Sequence, residues 1–276
     1  GLRGNTYASR MDYSVISPEL EALDLQGSSE TVGADLRYPL VRSRPFNLYA
    51  ELQGEWRGYD SRAGDDPQSD YSIDSLQWGI SGNAFDEFAG GGASSFSLRL
   101  INGRLTEGGL EVDPLIARRY SKLTYSFTRQ QVLSQRWTLS AAFQGQYTRH
   151  AVLDSSENFQ LGGATGVRAY PGGEASGPKG YLANLEFQFR LNERLTLTAF
   201  ADRGRISGRR VDQGGPAAYE LSGGGLTATV LAPGGMTVQA TAARRFGDNP
   251  NPQDNGNDGD GTLKEDRIWL TVSRNF

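Results

Sequence analysis

The 276-residue sequence has no cysteine, a single histidine and no long uninterrupted apolar run. The missing cysteine excludes a disulfide framework and thiolate chemistry. The missing apolar run, against a requirement of about 20 residues, excludes a transmembrane helix. The lone histidine, His150, lies near the end of a strand-like segment and reads as a surface residue. No Ser–His–Asp set can be assembled around it, so the chain reads as non-enzymatic. Basic residues are not in excess: 28 Lys and Arg stand against 32 Asp and Glu, a net charge of -4, which argues against nucleic acid as a partner. No signal peptide is visible at Gly1. Helix formers are concentrated nowhere, so the Gly-rich stretches do not precede helices and do not cradle phosphate. Residues 247–261 carry Asp248, Asp254, Asp258 and Asp260, a calcium-like composition without the spacing of a known calcium loop, and are expected to be solvated. No cofactor and no metal are expected.

What is present is glycine, 36 residues of it, with 12 Tyr, 12 Phe and 4 Trp, and apolar residues spread at every second position. A period of two describes a sheet with unlike faces. Twelve such segments follow one another, at about 5–15, 30–41, 46–59, 71–84, 94–105, 119–132, 136–150, 180–191, 195–206, 218–232, 236–246 and 263–276. In the third, Phe46, Leu48, Ala50, Leu52 and Trp56 face one way and Asn47, Glu51, Gln53, Glu55 and Arg57 the other. No soluble core accepts that second set, whereas a water-filled lumen does. A large sandwich or propeller also alternates, but here the connections alternate too. Those near Arg42, Phe85, Leu133, Asn192 and Pro233 are short, and those between them, including a polar loop at 60–70, are mostly long. Outer-membrane barrels have short periplasmic turns and longer extracellular loops. In the fourth segment Tyr71 and Ile73 fall out of phase with Leu76, Trp78 and Ile80, which predicts a bulge. In the last, Ile268, Leu270, Val272 and Phe276 share one face, and the terminal Phe276 reads as an assembly signal for the barrel assembly machinery; Arg274 breaks the pattern. The fold class is all-β: a transmembrane antiparallel β-barrel of about twelve strands, one domain over residues 1–276, in the bacterial outer membrane with lipid around it.

The inward charges Glu51, Glu55, Arg57, Arg99, Lys122, Glu186, Arg190 and Arg245 make a mixed wall, read either as a solvated lining or as a path for an unfolded polypeptide. The longest connection, 151–179, is Gly-rich but carries a bulky centre, Val167, Arg168, Tyr170 and Pro171, which implies that it folds onto something. In the ninth segment, alternation places Thr196, Thr198, Phe200 and Asp202 in the lumen.

At residues 166–190, GVRAYPGGEASGPKGYLANLEFQFR, the sequence resembles the TpsB-class outer-membrane transporters of two-partner secretion, the haemolysin secretion/activation proteins. The hairpin RYPLVRSRPFNLYAEL at 37–52 and the strand at 180–191 resemble the same class, so the likeness runs along the whole chain. In that superfamily a long extracellular loop folds back into the barrel, and its Val-Arg-Gly-Tyr/Phe tip sets an arginine against the acid of a Phe-x-Asp-x-Gly strand. The resemblance assigns the tip to Val167, Arg168, Ala169 and Tyr170, and the receiving motif to Phe200, Asp202 and Gly204. Ala169 stands where glycine is commoner, which implies a slightly different turn. Glu186 is a second acceptor for Arg168, and Tyr170 and Phe200 are expected to pack together. Members of the class have two periplasmic POTRA domains, a plug helix and a sixteen-stranded barrel; this sequence corresponds to the last twelve strands. The resemblance implies export of a partner exoprotein. A passive pore and a membrane-protein insertase are the alternatives, and the Arg168–Asp202 pair reads equally as a fixed anchor or as one that moves.

Overall fold

The computed structural model describes residues 1–16, 23–208, 217–253 and 255–274. Its main body is a 12-stranded sheet in which every strand pairs antiparallel with its neighbours in the chain's order. The strands are β1 (Arg3–Ser14), β2 (Leu25–Arg42), β3 (Phe46–Ala63), β4 (Asp66–Asp86), β5 (Gly92–Glu107), β6 (Arg119–Val132) and β7 (Trp137–Thr148), then β10 (Lys179–Arg190), β11 (Leu195–Ser207), β12 (Ala218–Ala232), β13 (Met236–Arg245) and β14 (Asp266–Arg274). Between β7 and β10 lie two short strands, β8 (Phe159–Leu161) and β9 (Ala175–Gly177), which pair only with each other. Among the described residues β1 and β14 each pair on one side.

Alternation decides which way each strand faces. On β14, Ile268, Leu270 and Val272 are exposed to the membrane side while Trp269 turns inward. On β11 the odd residues from Leu197 to Arg205 are exposed, and Thr198, Phe200 and Asp202 are buried inside. Three outward aromatics meet at the short-turn end of β7 and β10: the Trp137 ring stacks on Phe187 at 4.5 Å and lies 4.4 Å from Phe189. Such girdles mark a membrane interface. Arg274 sits at the same end and donates to the carbonyl of Gly234 at 3.2 Å, so the break in the last strand's apolar face falls at the rim rather than in the lipid. Phe276 lies outside the described residues.

Three expectations change. Residues 60–70 are not a long loop: β3 and β4 run on as an 18- and a 21-residue strand and turn at Gly64 and Asp65. Both exceed the 9–11 residues a membrane crossing needs, so the hairpin projects beyond the membrane, held by Tyr59 stacked on Tyr71 at 5.0 Å and by Ser61 against Ser69 at 2.6 Å. The bulge falls at the Ser61/Arg62 step, not at Tyr71 and Ile73. Those two residues keep the strand's phase and face inward, where Ile73 is fully buried with Ile101, Leu105, Tyr120 and Leu153. Lumen-facing apolar residues are needed because loops pack on them. On β1, Tyr7 faces inward and donates to Glu55 at 2.6 Å. The third change concerns residues 247–261, which are not simply solvated: Asp258 is fully buried.

Candidate functional site

The connection from β7 to β10, residues 149–178, enters the barrel. It is pinned by its own backbone first. The β8–β9 hairpin brings its stem together, Gly163 donates to the carbonyl of Tyr170 at 3.0 Å, and Tyr170 donates back to Val167 at 3.1 Å. The second bond closes a tight turn with Arg168 and Ala169 at its corners. Ala169 keeps an ordinary negative φ, so no glycine is required by the backbone there. What the turn does require is clearance: a methyl built on Gly223 of β12 would overlap that of Ala169, which is fully buried.

The turn aims Arg168 at the wall. Asp202 receives the backbone N–H of Arg168 at 3.0 Å, its Nε at 2.9 Å and its Nη2 at 2.7 Å, and the amide of Asn184 at 2.8 Å. Nη1 reaches Glu186 at 2.7 Å. The guanidinium lies 3.5 Å over the ring of Phe200. The two-pronged contact with Asp202 is the strong form of a charge-assisted pair, and the Asp202 side chain has 0% exposure, against 28% for Glu186. Asp202 is thus the desolvated partner and Glu186 the wetter one. Val167 and Tyr170 are buried in one cluster with Phe200, Leu161 and Leu221. Phe200 is occupied by Arg168 rather than by the Tyr170 ring, so these two aromatics share a cluster without stacking. Gly204 completes the motif: a Cβ there would lie 2.6 Å from Leu161 of β8.

Two further contacts of opposite polarity hold the loops. Glu157, from the same connection, sends its carboxylate to Arg57 of β3 and to the Lys122 Nζ of β6 at 2.8 Å. Lys122 and Gln146 also donate to the Glu157 carbonyl, at 2.9 and 2.8 Å. Burial opposes ionisation of Glu157, but Lys122 and Arg57 outweigh it and hold the carboxyl below its ordinary value. From the loop at 246–265, Asp258 is fully buried and meets Arg245 of β13 at 2.9 Å and Arg267 of β14 at 2.8 Å. Glu174 joins the two loops by accepting from Asn249 and from the Gly259 N–H. The β14 residue Trp269 donates to the carbonyl of Arg168 at 2.7 Å. By these bonds the 149–178 connection touches β3, β6, β7, β10, β11 and β14, which lie around the barrel.

The inward charges therefore divide. Arg57, Lys122, Glu186 and Arg245 are sockets for loop groups. Glu51 instead forms a wall network with Ser81 at 2.6 Å and Arg99 at 3.2 Å, and Glu55 pairs with Arg57 at 3.1 Å. Arg190 is exposed at the short-turn end of β10, apart from the loops. Sequence reasoning did not single out Glu157, Arg267 or Trp269. The parity of β14 places Arg267 and Trp269 inward together and was a usable signal; nothing marks Glu157, one acid in a polar connection.

The family described as haemolysin secretion/activation protein ShlB/FhaC/HecB matches residues 3–230. The heme/hemopexin transporter protein HuxB of Haemophilus influenzae is 27% identical over 191 residues, covering 67% of this chain and 33% of that protein. Among solved structures, CdiB from Escherichia coli superposes with a TM-score of 0.72 at 16% identity over 98% of this chain and 50% of its own. CdiB from Acinetobacter baumannii gives 0.69 at 16% identity over 98% and 46%. This chain spans about a third of the curated relative and about half of the solved ones.

Proposed function

This chain belongs to the haemolysin secretion/activation protein family, ShlB/FhaC/HecB, and we propose that its barrel is the conduit through which a partner exoprotein crosses the outer membrane. Its place is the bacterial outer membrane. The observation that carries the proposal is the loop held in the lumen by the Arg168 pair with Asp202 and Glu186. The loop tip packs in an apolar cluster with Leu161, Phe200 and Leu221, and polar docks at three places add to that hold. These docks, at Asp202, at Arg57 with Lys122, and at Arg245 with Arg267, present groups that water or the backbone of a passing chain can satisfy once the loop is released.

The cargo is an unfolded polypeptide. The wall offers it both signs of charge, Glu51 beside Arg99 and Glu55 beside Arg57, so neither sign of cargo is repelled or trapped. Folding of the cargo outside the cell supplies the direction of movement. The barrel assembly machinery inserts the barrel, and outer-membrane lipid solvates it.

The test is export of a cognate exoprotein by the protein as the cell makes it. Replacing Arg168 and Asp202 by alanine, singly and together, is expected to alter export and to convert a mostly closed, noisy conductance in planar bilayers into a longer-lived open one. Export and conductance unchanged in all three variants would remove the pair, and with it this reading. A steady ohmic channel in the unaltered protein would favour a passive pore.

A further inference from the structure

The membrane face of the barrel carries a groove of about 1150 Å³ across β1 to β6, near the loop end. Its apolar side is open by construction. Ala34, Gly54 and Leu76 are cross-strand neighbours, and a Cβ at Gly54 would meet nothing within 4 Å. The Trp56 ring leans toward Gly58, where a Cβ would stand 2.7 Å from it. At the other side, Asn102 accepts from Ser121 at 2.8 Å, and Arg104 of β5 stands directly opposite Arg119 of β6.

Like charges directly opposite on neighbouring strands repel. Among the described residues neither arginine has a carboxylate within 4.0 Å, and Asp74, the cross-strand neighbour of Arg104, forms no ion pair with it. Other outward arginines near this end are compensated: Arg203 meets Glu220 at 2.6 Å and Arg244 meets Glu265 at 2.8 Å. The uncompensated pair lies two outward rows beyond Leu100 and Leu123, which are cross-strand neighbours within the apolar band. It therefore stands at the interface on the extracellular side. The outer leaflet there presents a phosphorylated glycolipid, anionic at its head and acylated below. Paired guanidinium forks match a phosphate in shape and charge.

We propose that this groove binds a molecule of lipid A, with one phosphate bridging Arg104 and Arg119 and an acyl chain lying over Gly54 against Leu76. The site is independent of what passes through the lumen. Asp74 limits its affinity by facing the same phosphate.

The test measures binding of bis-phosphorylated lipid A, and of lipid A stripped of both phosphates, to the detergent-purified protein as the cell makes it. Folded barrel is scored by its faster migration on unheated gels. The double variant Arg104→Gln with Arg119→Gln is expected to bind lipid A roughly 25-fold more weakly, the product of about fivefold for each cation near an anionic lipid surface. Asp74→Asn is expected to bind more tightly. Arg203→Gln, at a compensated site, is expected to bind as the unaltered protein does. Equal binding of the stripped lipid, or unchanged binding by the double variant, overturns the proposal. If the double variant does not fold, Asp74→Asn, which keeps both arginines, decides: unchanged affinity overturns it.

Discussion

Asp202→Ala is the sharpest perturbation of the loop. It removes the acceptor of four hydrogen bonds at once, three from Arg168 and one from Asn184. Removing one partner of a buried pair costs about 3–5 kcal/mol, because the other charge is left uncompensated. Here Arg168 keeps Glu186 at 2.7 Å and the Phe200 ring, so the lower end, about 3 kcal/mol, applies. That is roughly a hundredfold in the equilibrium between docked and released loop. Arg168→Ala behaves differently: the backbone N–H at residue 168 remains to donate to Asp202, and so does Asn184. It should therefore release the loop less than Asp202→Ala does. The two substitutions together should add little to Asp202→Ala alone. Hydrogen exchange of the amides of residues 163–170, followed by mass spectrometry on the folded barrel, reads the opening directly. An acceleration of about a hundredfold in Asp202→Ala agrees with this reasoning. Exchange within a factor of about three of the unaltered protein, with the barrel still folded, would refute it.

Three other expectations follow from the same contacts. Gly223→Ala places a methyl against Ala169 and lies 2.8 Å from the backbone carbonyl of Arg244, so it should loosen the loop tip in the same exchange measurement, and Ala169→Gly should restore part of the protection. Glu157 is held below its ordinary value of 4.5 by Lys122 and Arg57 against the opposing effect of burial. A depressed carboxyl contributes stability that is complete above its unfolded value and is lost as pH falls through the folded one. Protection of the 149–161 amides should thus be flat at neutral pH and fall only below about pH 4.5, and Glu157→Gln should remove that dependence. Arg168→Lys keeps the charge but loses the fork and the stacking on Phe200, so its exchange rates should fall between the unaltered protein and Arg168→Ala.

The strands were legible because a lipid face and a water face impose a period of two that no local preference obscures. Strands β6 and β12 begin and end where alternation places them, at Arg119–Val132 and Ala218–Ala232. The same reasoning set Asp202 inside before any partner was assigned. It misjudged the β3–β4 hairpin because composition was taken for conformation: the residues there are polar because they stand above the membrane, yet they remain paired strand. It read Tyr71 and Ile73 as a slip because it expected a uniformly polar lumen, whereas part of the lumen is a core under loops. It left residues 247–261 in solvent because their many Asp, Asn and Gly residues look alike in sequence; only the fold selects Asp258 for Arg245 and Arg267. Long-range partners such as Glu157 with Arg57 are set by which strands the loop crosses, and alternation within one strand carries no such information.

The 149–178 connection lies in the lumen and, under the proposed function, must yield for cargo to pass. Leu161 touches the position of Gly204 across the loop–wall contact, its Cδ2 being 2.6 Å from a Cβ built there. The sequence has no cysteine of its own, so a disulfide between Leu161→Cys and Gly204→Cys, verified by thiol titration before and after oxidation, would be the single one in the chain. Export of cognate exoprotein, measured with this pair oxidised and then reduced, is predicted to stop and to resume. Export at the unaltered rate with the disulfide formed would contradict the account.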